Sequence, residues 1–162
     1  MVKTDIEDFF EEFATQGWDK SRILFEHYFE EQESNKRQIF VATLDGKVAG
    51  YATLLQNDVN GAFKNRNIPT ICDFNVLIKY QKQGVGTALL DEIENKVKEY
   101  SNIICLGVGL HEGYGSAQRM YVKRGYIPDG SGVWYKDEIL SPYASCNNDD
   151  DLVLYFSKQL KA

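Results

Sequence analysis

The sequence predicts an α/β (α+β) fold: a mixed, mostly antiparallel central sheet with a β-α-β core and helices on both faces. Three observations lead there. Two apolar runs, 38–44 and 47–55, are joined by Asp45-Gly46, a strong hairpin signal. An extended run over 68–77 passes through a glycine-bearing turn into an amphipathic helix. A continuous apolar run over 103–110 follows that helix and has the character of a buried central strand. With 162 residues the chain is read as one domain, 1–162, large enough for a real core.

In chain order, Thr4-Asp5-Ile6-Glu7 reads as a capping box. Ile6, Phe9, Phe10 and Phe13 then recur at helical spacing, and the helix ends near Gly17. Asp19 can cap a second helix carrying Ile23, Leu24, Phe25, His27, Tyr28 and Phe29. Its apolar residues cover a wide arc, which serves either core packing or a pocket wall. After the hairpin, 57–67 is a polar loop. Residues 84–100 form the next helix, with Val85, Ala88, Leu89, Ile93 and Val97 on one face. Gly107 and Gly109 weaken the strand they sit in unless something must approach the backbone. Residues 116–124 are a short helix closed by Gly125. Tyr126-Ile127 pairs briefly, Pro128-Asp129-Gly130 is a turn and 133–135 a strand. A polar loop over 141–150 precedes the last strand, 152–156.

Composition narrows the function classes. Hydrophobic residues make up 43% and charged residues 26%, as in ordinary globular domains. The net charge of −6 argues against a nucleic-acid partner, which demands the opposite sign. It suits a cationic small molecule slightly better, and plain solubility equally well. Cys72, Cys105 and Cys146 are widely spaced, form no C-x-x-C pair, and point to a reducing, cytoplasmic compartment. Acidic residues interrupt the N-terminal apolar residues, so no signal peptide is read there, and no apolar run reaches membrane-span length. No metal site is expected: the acidic run 147–151 lacks the glycine and terminal glutamate of an EF-hand loop.

The organising stretch is 76–90, where an apolar strand end meets the pattern Gln81-x-x-Gly84-x-Gly86 at a helix start. The first N–H groups of a helix lack partners within it and lie at the positive end of its dipole. Glycines there let a phosphate approach the backbone. Gly86-Thr87 lacks the lysine of a P-loop, and Leu89 and Lys82 stand where a dinucleotide fingerprint needs glycine. The pattern resembles the pyrophosphate motif R/Q-x-x-G-x-G/A of the GNAT superfamily, the acyl-coenzyme A-dependent N-acyltransferases. A second stretch, Ala117 to Tyr126, is similar to that superfamily's A-x-x-x-Y-x-K-x-G-F/Y. The resemblance runs from the hairpin at Gln38 to the last strand. It departs at the start, where only Met1-Val2-Lys3 precede the first helix and a strand is usual.

The resemblance implies an N-acetyltransferase acting in a ternary complex, with acetyl-coenzyme A as donor, a primary amine as acceptor and no metal. It places the donor's diphosphate on the N–H groups of Gln83, Gly84, Val85, Gly86 and Thr87, within the cofactor motif that includes Gln81 and Lys82. The pantetheine arm would run beside Asn75, Val76 and Leu77, with Gly107 and Gly109 leaving room near the thioester. Lys123 is a candidate for attracting phosphate, as are Lys82 and Arg119. Tyr121 takes the position of the tyrosine that protonates the departing thiolate. Thr70 stands where some members carry a basic glutamate, which leaves Asp73, His111, Glu112 or water to accept the amine's proton. Asp73 either acts as base or binds the ammonium; alternation puts it and Asn75 on the face opposite Cys72, Phe74 and Val76. The acceptor is a small-molecule or protein amine, and no membrane partner is expected. Many relatives form homodimers, and no exposed apolar stripe here demands one. Two rival readings are a non-catalytic coenzyme A sensor on the same fold and a nucleotide-binding domain on the same loop.

Overall fold

The structure, a computed structural model, describes residues 1–160. Its helices are α1 (Lys3–Thr15), α2 (Arg22–Glu33), α3 (Val85–Lys98) and α4 (Gly115–Lys123). Its strands are β1 (Gln38–Leu44), β2 (Lys47–Leu55), β3 (Thr70–Val76), β4 (Ile103–Gly109), β5 (Ile127–Tyr135), β6 (Glu138–Ile139) and β7 (Leu152–Gln159). The seven strands form one sheet in the order β1-β2-β3-β4-β7-β5-β6. β3 and β4 run parallel, pairing Thr70 with Cys105 and Ile71 with Leu106, as a strand–helix–strand crossover requires. The pairs β1–β2, β4–β7, β5–β7 and β5–β6 are antiparallel. The expected mixed, mostly antiparallel α/β fold is therefore the observed one.

The chain divides into two compact units. The first comprises Met1–Leu55 and Cys72–Lys96. Within it, Phe9 and Phe13 of α1 and Phe25 of α2 surround the Tyr51 ring of β2, with centroids 5.1, 5.9 and 5.6 Å away. All four rings are fully buried. Val85 and Leu89 of α3 instead pack with Ala49, Phe40, Phe74 and Val76. Helices thus cover both faces of the β1–β2 hairpin and the end of β3. Ala49 can take part because β2 is bulged: Ala42 opposes Gly50, but Thr43 opposes Val48. The second unit comprises Gln56–Ile71 and the chain from Val97 onward. There Tyr155 of β7 packs against Phe63, Cys105 and Trp134.

Several local expectations need correction. The first helix starts earlier than Thr4: Val2 precedes it, and the Asp5 carboxylate accepts the Val2 N–H at 2.7 Å. The second helix is capped by Ser21, whose hydroxyl accepts from Leu24 N–H at 3.2 Å, rather than by Asp19. Pro128-Asp129-Gly130 does not end a strand. It lies within β5 as an irregularity between Pro128 and Val133, with Gly130 and Gly132 at φ +85° and +87°. Lys136 and Asp137, at φ 52° and 64°, form the tight turn of the small β5–β6 hairpin, which lacks the usual glycine signal.

Candidate active site

Asp73 is the centre of a polar cluster in the first unit. Its Oδ1 accepts from the Lys20 ammonium at 2.7 Å and from the Asn75 side-chain amide at 2.7 Å. Its Oδ2 accepts from the Tyr51 hydroxyl at 2.5 Å and the Tyr28 hydroxyl at 3.0 Å. The backbone at Asp73 is left-handed, with φ 41°, which bends β3 at this point. From Asp73 onward the expected alternation is seen: Asp73 and Asn75 meet the α1–α2 side, while Phe74 and Val76 pack with α3. Burial alone would raise the Asp73 carboxyl. The Lys20 ammonium and the hydrogen bonds from Lys20, Tyr51 and Tyr28 outweigh burial and hold it below the ordinary carboxylate range. Burial and the Asp73 charge push the Tyr28 and Tyr51 phenols up, so both remain donors.

The glycine-bearing turn lies a few residues on. β3 ends at Val76, a single 3₁₀ turn spans Ile78–Tyr80, and α3 begins at Val85. Leu77 is fully buried, and its N–H bonds to Ala49 O at 2.9 Å. Ile78 N–H is held by the Gln16 side chain at 3.0 Å, and Lys79 pairs with Glu12, so α1 anchors the approach to the turn. Gln81 donates its side-chain amide to Val76 O at 3.2 Å, and Gln83 donates to Lys79 O at 2.9 Å. Lys82 is left-handed at φ 60° and Gly84 at φ 85°. Gly84 O accepts the first helical bond, from Ala88 N–H at 2.9 Å. No atom lies within 4 Å of where a Gly84 Cβ would point. Gln81, Lys82, Gln83, Gly84 and Thr87 are exposed, whereas Val85 is buried and anchors the helix. The result is an open cradle at a helix start, with a lysine beside it, which fits a diphosphate.

The second unit holds the remaining candidates. Tyr121 of α4 is 4% exposed and meets the Tyr126 ring edge-on at 5.7 Å. Burial, and then the neighbouring Tyr114, push its phenol well above the ordinary tyrosine range. It is a protonated donor across the working pH range. Lys123 is exposed in the last turn of α4, where a cation complements the helix dipole. His111 Nδ1 accepts Gly113 N–H at 3.1 Å, which leaves the ring hydrogen on Nε2, 2.9 Å from Asp150 Oδ1. Tyr114 donates to the same oxygen at 2.9 Å. His111, Glu112, Asn148, Asp149 and Asp150 line a shallow acidic depression. Gly107 and Gly109 have reasons different from the expected thioester space. A Cβ on Gly107 would lie 3.1 Å from the Tyr155 ring, and one on Gly109 would enter the Tyr114 ring. Thr70 is buried and spends its hydroxyl on Ile68 O at 3.2 Å.

Sequence reasoning missed Lys20 altogether and left Tyr51 as a strand residue. Neither carries a local signal, because Lys20 and Asp73 are 53 positions apart. The local sequence offers one hint, the Asp73 carboxylate placed between Cys72 and Phe74. Among the described residues, no three His, Cys, Asp or Glu side chains converge as a metal site, and no helix is long and apolar enough to cross a membrane. None of Cys72, Cys105 and Cys146 is joined in a disulfide.

β3 and β4 run parallel, and the crossover between them opens on the glycine-bearing turn and α3. Residues 2–126 match the family described as Acetyltransferase (GNAT) family, and the chain belongs to it as a GNAT-family acetyltransferase. The solved structures show the same fold. An N-acetyltransferase from Staphylococcus aureus Mu50 superposes with a TM-score of 0.72 at 16% identity, covering 99% of this chain and 96% of that one. The ribosomal-protein-S18-alanine N-acetyltransferase from Escherichia coli gives 0.69 at 16% identity, covering 100% and 92%. A GNAT family acetyltransferase from Elizabethkingia anophelis with acetyl-CoA bound gives 0.60 at 18% identity, covering 88% and 85%. No curated protein matches the sequence.

Proposed function

We propose that this enzyme moves the acetyl group of acetyl-coenzyme A to the primary amine of a cationic small molecule, by direct attack of the amine in a ternary complex. The observation that carries the reading is the cradle at α3: left-handed Lys82 and Gly84, open space over Gly84, and exposed residues leading into a helix start. Acetyl-coenzyme A supplies the acetyl thioester. Gln83, Gly84, Val85, Gly86 and Thr87 hold its diphosphate through their backbone, and Lys82 adds positive charge. Asn75 and Val76 offer backbone to the pantetheine arm. Leu77 contributes by anchoring, since its N–H is already engaged by Ala49.

Tyr121 stays a neutral phenol and offers its O–H as a hydrogen bond to the sulfur as negative charge develops there. Asp73 serves as an anchor for positive charge: a carboxylate with four donors and a depressed pKa is a weak proton acceptor. His111 is occupied on both ring nitrogens. With Asp73 and His111 engaged in this way, water or Glu112 is left to take the amine's proton once the acceptor is bound.

Calorimetric titration of acetyl-coenzyme A into the wild type and into a Gly84→Asp/Gly86→Asp variant tests the cradle. Binding by the wild type and its loss in a folded variant are expected, because two carboxylates would meet the diphosphate. A folded wild type that does not bind would overturn the reading. Thiol release with an amine panel then tests transfer.

A further inference from the structure

The Asp73 cluster already contains an ammonium, and it is the chain's own. Lys20 Nζ sits 2.7 Å from Asp73 Oδ1, 5.6 Å from the centroid of the Tyr51 ring and 5.8 Å from that of Phe13. A carboxylate facing two aromatic rings is the chemistry that recognises an alkylammonium. The members of this group differ in how they are held. Tyr28 comes from α2, Tyr51 from β2 and Asn75 from β3, all regular elements. Lys20 comes from the connection between α1 and α2, beside Gly17 at φ 79°. That connection is held by local bonds, Trp18 N–H to Phe13 O at 2.9 Å and Lys20 N–H to Trp18 O at 3.0 Å. The Lys20 side chain is 20% exposed, so its route out leads to solvent. If it left, three neutral donors would still hold Asp73 as an anion, and an anion so placed demands another cation.

We propose that Asp73, Tyr28, Tyr51, Asn75 and Phe13 form a binding site for the primary ammonium of the acceptor, and that Lys20 is its internal occupant, which the acceptor must displace. The site takes an ammonium on an unbranched alkyl arm, because the lysine side chain that fills it has that shape. A quaternary amine would lose the hydrogen bond to Oδ1, and an anion would face Asp73. Lys20 thereby sets specificity: only amines that outcompete a tethered lysine gain the site. The acceptor role rests on the proposed acetyl transfer; the binding site does not.

Lys20→Ala removes three carbons and the nitrogen, which n-propylammonium replaces. Calorimetry with n-propylammonium chloride, and with tetramethylammonium chloride as control, is carried out on the wild type, Lys20→Ala and Lys20→Ala/Asp73→Asn. The alanine variant is expected to bind n-propylammonium at least tenfold more tightly than the wild type, to discriminate against tetramethylammonium, and to lose that gain with Asp73→Asn. In turnover, the KM for alkylamines should fall at least tenfold, with acetyl-coenzyme A affinity unchanged. A folded Lys20→Ala that binds no more tightly than the wild type, or whose gain survives Asp73→Asn, overturns the inference and leaves Lys20–Asp73 a structural ion pair. If the alanine variant does not fold, Lys20→Ser is subjected to the same comparison. Failure of acetyl-coenzyme A to bind the wild type would remove the transfer reading and leave this binding result standing.

Discussion

Asp73 and Tyr121 show how burial assigns opposite duties to two acidic side chains. Asp73 is ionised because its donors outweigh desolvation; Tyr121 is neutral because burial dominates. Asp73 therefore links stability to pH. Its folded pKa lies below the unfolded value, so its contribution is complete above the ordinary carboxylate pKa of about 4 and is lost as pH falls through the folded value. Chemical denaturation from pH 7 to pH 3 should show a flatter acid limb in Asp73→Asn than in the wild type. At pH 7 that variant should be less stable by about 2–3 kcal/mol, since Lys20 is left without its counter-charge in a largely enclosed place. Tyr121→Phe should lower kcat by about 10²-fold while acetyl-coenzyme A still binds, as expected for a lost hydrogen-bond donor. His111→Ala should leave the pH profile of kcat/KM unchanged. A profile that changes in the variant would return His111 to the role of base.

At the scale of elements, backbone geometry places the chemistry. β3 carries Asp73 into a left-handed kink, and the turn before α3 holds Lys82 and Gly84 in the same region. The sheet beside them is closely spaced: a Cβ on Gly50 of β2 would stand 2.7 Å from Asn75 O of β3. Gly50→Ala should thus destabilise the protein by about 2 kcal/mol and weaken acetyl-coenzyme A binding, because the strand leading into the cradle must shift. The β5–β6 turn offers the reverse case. Lys136 and Asp137 are both left-handed without being glycine. Asp137→Gly should raise stability by about 0.5–1 kcal/mol in thermal melts without affecting turnover, as the strain is relieved far along the chain from the cradle.

For the whole molecule, the informative quantity is ligand-linked stability. Each of the two compact units has a core of its own, one built on Phe9, Phe13, Phe25 and Tyr51 and the other on Phe63, Cys105 and Tyr155. Acetyl-coenzyme A at about 100 times its Kd should stabilise the native state by ~2.7 kcal/mol. For a chain of this length that corresponds to a rise in Tm of roughly 5–10 °C. The double aspartate variant of the cradle should show no rise.

Much of this was legible in the sequence because it depends on neighbours in the chain. The β1 and β2 boundaries, the strand-to-helix cradle at 81–87 and the glycine closing α4 follow from local pattern and backbone preference, and two short motifs carry the family. Strand irregularities were less legible: the β5 bulge looks like a turn when Pro128-Asp129-Gly130 is considered without its β7 partner. The roles of Gly107 and Gly109 were hidden for the same reason, since the rings of Tyr155 and Tyr114 come from elsewhere in the chain. The sequence by itself determined the fold class, the family and the glycine-bearing turn that opens α3. Only the tertiary structure decided the state of Asp73. Its protonation and partners depend on Lys20, Tyr28 and Tyr51, brought together across 53, 45 and 22 positions by packing that no local pattern encodes.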